Sequence, residues 1–165
     1  MYSITKKSIL FVCLGNICRS PAAEGIFRSI IEERGENVFW TVDSAGTYGG
    51  HAGGLPDSRM RRAAARRGYE LVHRARQVKS SDFDCFDLII SMDDSNYSDL
   101  MHLAPSVEDA RKVRKMIDFC QPTRYDHIPD PYYEGVEGFE LVIDLLEVGC
   151  QQIIEWEIKN RETRE

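Results

Sequence analysis

The feature that most constrains the fold of this chain is a short apolar run that ends in a tight polar loop. The run is Ser8–Val12, and the loop is Cys13–Ser20, followed by Pro21. An apolar run of this length is typical of a buried strand. Pro21 favours the first turn of a helix, where a missing backbone N–H costs nothing. A loop between a strand and a helix N-terminus directs N–H groups inward, and with the helix dipole these attract an anion. The sequence therefore predicts a strand, an anion-binding loop and a helix in succession.

Two side chains of this loop suit phosphoryl transfer. Cys13 is the candidate nucleophile, because a helix N-terminus favours the reactive thiolate form of a cysteine. Arg19 carries a planar guanidinium that can hold two phosphoryl oxygens at once. Ser20 can donate its hydroxyl to the sulfur, and Gly15 permits the tight backbone of the loop. The alternative, in which Cys13 is a buried strand residue and Arg19 a surface charge, leaves the Gly-Asn pair and the Ser-Pro helix start unexplained.

The rest of the chain alternates short apolar runs with longer amphipathic segments, which indicates an α/β fold. The predicted strands are Ser8–Leu14, Val38–Asp43, Asp87–Met92 and Lys112–Phe119. The predicted helices run from Pro21 to about Arg34, from an N-cap at Asp57 to Gly68, from Asp93 onward, and from Gly138 to about Lys159. We therefore expect a four-stranded, mostly parallel sheet with helices on both faces and a binding site at the carboxyl ends of its strands.

Composition limits the organisation and the partners of the chain. A length of 165 residues with 42% hydrophobic content suits a single domain spanning 1–165. The segment of residues 1–7 is short and polar, and no apolar segment reaches the length of a membrane span. We therefore expect a cytoplasmic protein that has no membrane partner. A net charge of −6 argues against nucleic acid. The five cysteines lack metal-ligand spacing, so we expect reduced thiols and no metal. Oligomeric state stays open.

The segment from Val12 to Pro21 resembles the phosphate-binding loop of the low-molecular-weight protein tyrosine phosphatases. Further matches follow in the same order at Asp43–Gly46, His73–Arg76, Met92–Asn96 and Asp130–Tyr133. Several dispersed matches are more specific than one loop. The resemblance implies a three-layer α/β/α sandwich with an N-terminal phosphate-binding loop. It also implies a phosphatase that needs neither cofactor nor metal and acts on phosphotyrosine proteins and small aryl phosphates through a phosphocysteine intermediate.

The resemblance assigns roles to individual residues. Asp130 is the candidate general acid, and Pro131 restricts its backbone so that the carboxyl group can be held over the loop. With Cys13 and Arg19 it completes the predicted catalytic set. The resemblance implies substrate binding or loop support for Leu14, Gly15, Asn16, Ile17, Cys18, Ser20, Ser44, His73, Asp93, Tyr132 and Tyr133, and we add Tyr48 as a candidate without a direct match. Ser44 also suits a strand-end cap, His73 a satisfied core histidine and Asp93 a helix N-cap.

Two positions bear on regulation and substrate preference. Cys18 lies five residues after Cys13, and the resemblance implies that it protects the nucleophile through a reversible disulfide; the alternative is a simply buried thiol. Many relatives carry Trp or Tyr in the loop after the second strand, and counting from Ser44 that position is Gly50 here. Tyr48 or His51 would then have to supply the aromatic contact.

Three alternatives share parts of this pattern. Arginine phosphatases of the same fold carry threonine at the position of Ile17, and an apolar isoleucine favours an aromatic ester over a guanidinium. Thioredoxin-type arsenate reductases use two further cysteines near the middle of the chain, where only Cys85 lies here. A phosphate-binding or redox-sensing module needs neither a nucleophile nor an acid. The combination of Cys13, Arg19 and Asp130 therefore favours the tyrosine phosphatase.

Overall fold

The computed structural model describes residues 6–164. Four strands form one sheet in the order β2-β1-β3-β4, and each neighbouring pair is parallel. The strands are β1 (Lys7–Cys13), β2 (Trp40–Gly46), β3 (Leu88–Ser91) and β4 (Val113–Lys115). The helices are α1 (Arg19–Glu33), α2 (Ser58–Ala65), α3 (Asp82–Cys85), α4 (Asp94–Leu103), α5 (Val107–Ala110) and α6 (Val136–Arg164).

The central strand β1 is buried on both faces, and its side chains alternate between two cores. Ile9 and Phe11 pack with the apolar residues of α1 and α6. Leu10 and Val12 point the other way and pack with residues of α3 and α4. This alternation follows from the two-residue period of a strand. Helices therefore cover both faces of the sheet, and the predicted three-layer α/β/α fold with a parallel sheet is confirmed.

The first helix and the second strand differ from their predicted bounds in a way that affects the site. Helix α1 begins at Arg19, two residues before the predicted start, and Pro21 is its third residue, still within the turn that needs no N–H donor. Residues 37–39 form a short 3-10 turn, so β2 begins at Trp40 and continues to Gly46. Its last residue pairs with Cys13, which extends the strand beyond the predicted end at Asp43.

The remaining helices and strands follow the prediction with local differences. Asp57 caps α2 by accepting a bond from the Arg59 N–H at 2.8 Å, and Gly68 has the positive φ expected of the turn that follows the helix. Strand β4 is shorter than predicted because residues 116–119 form a 3-10 turn. The four-residue helices α3 and α5 were not predicted, since one turn is too short to show a helical period.

The topology brings three strand ends together. In a parallel sheet the carboxyl ends of β1, β2 and β3 share one edge, so the loops after Cys13, Gly46 and Ser91 meet there. Within residues 6–164, no helix is both long enough and apolar enough to cross a membrane. The expectation that residues 1–7 carry no apolar leader falls largely outside the described part of the chain.

Candidate active site

The loop after β1 is held by one buried amide side chain. Asn16 adopts a left-handed backbone conformation with φ of +57°, which is uncommon for a residue other than glycine. Its Nδ2 donates to Ser20 Oγ at 2.8 Å and to Ser44 Oγ at 3.0 Å. Its Oδ1 faces His73 Nε2 at 2.9 Å and accepts from the Arg76 backbone N–H at 3.0 Å. The amide thus uses both N–H groups and both lone pairs, and these bonds hold the strained conformation.

The Cys13 sulfur lies against a hydroxyl whose own partners are fixed. Ser20 Oγ is 3.0 Å from Cys13 Sγ and 3.3 Å from the Ala45 carbonyl oxygen. Because Asn16 Nδ2 donates to the same oxygen, the single Ser20 hydrogen is free to point to either acceptor. A thiolate can only accept a hydrogen bond, so ionisation of Cys13 directs the Ser20 hydroxyl to the sulfur.

Arg19 is buried at the base of the loop and is held from two sides. Its Nη1 donates to Asp93 Oδ2 at 2.7 Å and to the Ile128 carbonyl oxygen at 3.0 Å. Its Nη2 lies 3.6 Å from Asp130 Oδ2. Burial opposes the charge of this guanidinium, but the Cys13 thiolate, Asp93 and Asp130 raise its pKa above the ordinary value. Arg19 therefore stays cationic in an orientation that its neighbours fix.

The candidate acid lies on a segment that is anchored on one side and exposed on the other. Ile128 is fully buried, and its N–H donates to the Met92 carbonyl oxygen at 2.8 Å. Two residues later, the Asp130 carboxyl group is 41% exposed and accepts from the Tyr132 N–H at 3.1 Å. The carboxyl group can therefore face a leaving oxygen in the pocket and also exchange protons with solvent.

These residues surround a cavity of about 240 Å³. Its walls are Cys13, Leu14, Gly15, Ile17, Cys18, Arg19, Tyr48, His51, Asp130, Tyr132 and Tyr133. Most predicted site residues thus share one pocket, whereas Asn16, Ser20, Ser44, His73 and Asp93 lie behind it and support the loop. Four of the wall residues, Tyr48, His51, Tyr132 and Tyr133, are aromatic, which suits an aromatic ester.

Tyr48 occupies the space beside Gly50. A Cβ atom added to Gly50 would lie 2.1 Å from the Tyr48 hydroxyl oxygen, so the tyrosine ring fills the volume that a side chain at residue 50 would need. The His51 ring meets the Tyr48 ring edge to face at 5.9 Å and lies against Gly15 of the phosphate loop. Both alternatives for the aromatic contact therefore line the pocket, and Tyr48 does so in place of residue 50.

The family is shown by comparison with known proteins. Residues 8–164 match the model of the low molecular weight phosphotyrosine protein phosphatases. The chain belongs to this family. A Synechocystis relative that bears the family's name is 45% identical over 88% of this chain and 93% of its own. The human low molecular weight phosphotyrosine protein phosphatase is 39% identical over 90% of this chain and 94% of its own.

A solved structure extends the family likeness to three dimensions. The crystal structure of a protein tyrosine phosphatase from Entamoeba histolytica superposes with a TM-score of 0.90 at 44% identity. The match covers 97% of this chain and 100% of that one. The fold of this family member therefore agrees with that of a tyrosine phosphatase of known structure.

Behind the loop, an ionic cluster supports His73. Its Nδ1 lies 3.1 Å from Glu24 Oε1 and 3.5 Å from Asp43 Oδ1. Ligand atoms of these three residues lie within 4.8 Å of one another, the kind of group that could hold a metal ion. Each carboxylate already has a guanidinium partner, Arg28 on Glu24 at 3.1 Å and Arg76 on Asp43 at 3.0 Å. The arrangement is therefore accounted for as a charge-paired support for the loop.

A second thiol, that of Cys18, lies buried near several acidic groups. Burial raises the pKa of this thiol, and the negative charges of Asp57, Cys13 and Asp130 raise it further. Cys18 is therefore a protonated thiol in the wall of the pocket that Cys13 also lines. All five cysteines are free thiols in this structure, and of the other three only Cys85 is exposed.

Sequence reasoning missed two residues that shape the site. Glu24 accepts from Ser44 Oγ at 2.8 Å and so holds a hydroxyl that contacts Asn16. Its position four residues after Ser20 in the same helix gives a signal, because it puts a carboxylate on the face of α1 that faces the loop. Gly46 lies in the matched segment Asp43–Gly46, but the match assigned it no role, and only the structure shows its Cα against the loop that carries Cys13.

Gly46 leads to a sharp prediction. A Cβ atom there would lie 2.6 Å from the Leu14 carbonyl oxygen and 2.9 Å from the Asn16 nitrogen, both backbone atoms. We expect Gly46→Ala to displace the loop, lower kcat/KM at least tenfold and cost about 1–3 kcal/mol in the free energy of unfolding. Gly135→Ala is the matched control, because nothing lies within 4 Å of its added methyl. Hydrolysis of an aryl phosphate and urea unfolding measure both effects, and unaltered Gly46→Ala kinetics would contradict this account of the loop.

Tyr48 and Gly50 give a second prediction. We expect Tyr48→Ala to raise KM for aryl phosphates by about three- to tenfold, the value of one aromatic contact, with a smaller change in kcat. Because Tyr48 fills the space at residue 50, the exchange Tyr48→Ala/Gly50→Tyr should recover part of the loss, while Gly50→Tyr alone should not improve binding. Steady-state kinetics on phenyl phosphate test this. Equal KM values for wild type and Tyr48→Ala would show that the ring does not contact the substrate.

Proposed function

We propose that this protein hydrolyses phosphotyrosine in proteins, and small aryl phosphates, through a phosphocysteine intermediate. One observation carries the proposal: a thiol, a buried guanidinium and an exposed carboxyl group converge on one pocket that has aromatic side chains in its wall. These are Cys13, Arg19 and Asp130. A binding module needs the cation but neither the nucleophile nor the acid.

The first step transfers the phosphoryl group to sulfur. The Cys13 thiolate attacks phosphorus while Arg19 and the inward N–H groups of the loop bind the equatorial oxygens. The bond from phosphorus to the phenolic oxygen breaks, and Asp130 gives its proton to that oxygen. Asp93 and the Ile128 carbonyl oxygen keep Arg19 oriented during this step.

The second step returns the enzyme to its resting state. Asp130, now ionised, accepts a proton from a water molecule that attacks the phosphocysteine, and inorganic phosphate leaves. The Cys13 thiolate is the leaving group of this step. Ser20 stabilises it because its hydroxyl can donate to the sulfur from 3.0 Å.

The pocket favours an aryl ester over the related alternatives. Ile17 is an apolar wall that would leave the N–H groups of a phosphoarginine unpaired. Cys85 lies at the exposed end of α3, whereas the thiol that shares the pocket with Cys13 is Cys18. Arsenate reduction of the thioredoxin-linked type passes a disulfide between two central cysteines, and here Cys85 is the only cysteine near the middle of the chain.

Residues 1–165 act as one phosphatase domain, since the family match spans 8–164 and one sheet organises both cores. Phosphotyrosine proteins are its partners, and the negative net charge disfavours nucleic acid. Five free thiols suit a reducing, cytoplasmic compartment.

The mechanism predicts which variants lose activity. We expect wild type to hydrolyse p-nitrophenyl phosphate and phosphotyrosine peptides in EDTA, and to prefer them to phosphoserine and phosphoarginine peptides. Cys13→Ser should abolish turnover, and Asp130→Ala should lower kcat about 10²- to 10⁴-fold. Release of inorganic phosphate is the measurement. Full activity of Cys13→Ser, or loss of wild-type activity in EDTA with recovery on adding a divalent metal, would exclude the proposed chemistry.

Cys18 gives a redox prediction. Peroxide oxidises the Cys13 thiolate to a sulfenic acid, which condenses with the Cys18 thiol and releases water to form a disulfide. We expect dithiothreitol to restore wild-type activity after peroxide but to restore Cys18→Ala only in part. Cys120→Ala is the control, because Cys120 is equally buried but lies away from the pocket. Full recovery of Cys18→Ala would leave Cys18 with a packing role alone.

A further inference from the structure

Arg59, a residue of α2 outside the catalytic set, stacks against the segment that carries the candidate acid. Its guanidinium carbon lies 5.4 Å from the centroid of the Tyr132 ring and 4.9 Å from that of Phe139. Both distances are within the range of cation–π attraction. Tyr132 follows Asp130 by two residues, and Phe139 lies in the first turn of α6. The guanidinium thus joins the acid segment to the helix that begins after it.

The other side of Arg59 is tied to the phosphate loop. Its Nε and Nη2 donate to the two carboxylate oxygens of Asp57, at 3.0 and 2.9 Å. The Asp57 backbone N–H in turn donates to the Ile17 carbonyl oxygen at 2.8 Å, within the loop that holds Cys13. The guanidinium is therefore oriented by a residue bonded directly to the phosphate loop. Two parallel hydrogen bonds of this kind fix both the position and the plane of the Arg59 guanidinium, which stacks on the aromatic rings.

We propose that Arg59 is a positioning residue that holds the Asp130 segment over the pocket by clamping the Tyr132 ring. The inference rests on the proposed phosphatase function, in which Asp130 is the proton donor. The Tyr132 N–H donates to Asp130 Oδ1 at 3.1 Å, so the position of Tyr132 is transmitted to the carboxyl group through one hydrogen bond. The Asp130 carboxyl group is exposed and has little packing around it. The stacking of Arg59 on Tyr132 therefore supplies the restraint that packing gives to a buried group.

A different role for Arg59 would be direct recognition of an acidic substrate. Several arginines lie on α2, and a negatively charged peptide is attracted to such a helix. The two roles affect different quantities. Loss of charge recognition would raise KM for acidic peptides, and the size of this effect would not depend on the leaving group. Positioning of the acid acts on the step that needs a proton, and its effect depends on how poor the leaving group is.

The test compares two small esters that differ in their need for an acid. Phenolate is a poor leaving group and needs Asp130, whereas 2,4-dinitrophenolate leaves without a proton. We expect Arg59→Ala to lower kcat/KM for phenyl phosphate about tenfold, a part of the 10²- to 10⁴-fold that a positioned acid provides. For 2,4-dinitrophenyl phosphate the change should stay within about twofold. In an Asp130→Ala background, Arg59→Ala should leave the ratio of the two kcat/KM values, one for each ester, unchanged.

Matched variants separate the clamp from other effects of the substitution. Arg62→Ala removes an exposed arginine of the same helix and should leave both esters unchanged. Arg59→Lys keeps the charge but loses the planar fork, so it should recover only part of the activity. Tyr132→Leu removes the ring against which Arg59 stacks, so it should shift the ester ratio in the same direction as Arg59→Ala.

A readout without turnover keeps the inference testable on its own. Hydrogen exchange at the Tyr132 amide should be faster in Arg59→Ala than in wild type and unaltered in Arg62→Ala. Equal losses for both esters, or a loss confined to KM for acidic peptides, would overturn the positioning role, as would unaltered exchange at Tyr132. If wild type turns over neither ester, the proposed function fails, and the exchange experiment still decides whether Arg59 orders the segment.

Discussion

The site depends on the side-chain amide of Asn16. A loop that turns its N–H groups towards an anion leaves them without intramolecular partners, and such a conformation does not persist unless the surroundings hold it. Here one amide, almost fully buried, bonds to the helix through Ser20, to β2 through Ser44 and to a later segment through His73 and Arg76. Removal of any one partner would leave a buried polar group unsatisfied, which costs about 1–3 kcal/mol. The loop is thus preorganised by its supports before a phosphate arrives.

Arg19 is also held by its neighbours in a state that would otherwise be unfavourable. Here the cost comes from burying a charge rather than from a strained backbone. An isolated buried guanidinium would be costly, and the Asp93 carboxylate and the Ile128 carbonyl oxygen offset that cost through bonds from a single nitrogen, Nη1. Nη2 faces the pocket side, where Asp130 lies at 3.6 Å. The partners that make burial tolerable therefore leave the other arm of the guanidinium available to a phosphoryl oxygen. Stability of the fold and readiness of the site come from the same contacts.

What the sequence could predict depends on how far apart in the chain the partners lie. Cys13, Arg19 and Ser20 fall within one loop, so their relation follows from local chemistry and could be predicted. The bonds from His73 and Arg76 to Asn16 span 57 and 60 residues, and only the resemblance pointed to the first of them. The shift of β2 to end at Gly46 was not predictable locally, because it arises from pairing with Cys13 rather than from the strand's own composition.

The aromatic wall of the pocket is formed by Tyr48 rather than by residue 50. Position in the sequence is therefore a poor guide to position in the pocket. Tyr48 precedes Gly50 by two residues, yet its ring fills the space at residue 50 because glycine leaves that space open. The Tyr48 N–H donates to the Leu14 carbonyl oxygen at 2.8 Å, and the Thr47 N–H donates to that of Cys13 at 3.0 Å. The Tyr48 wall is therefore bonded through its own backbone to the loop that carries Cys13. In the proposed function, one continuous hydrogen-bonded unit then locates both the ring and the phosphate of a substrate, and backbone geometry rather than the conformation of a free loop sets the angle between them.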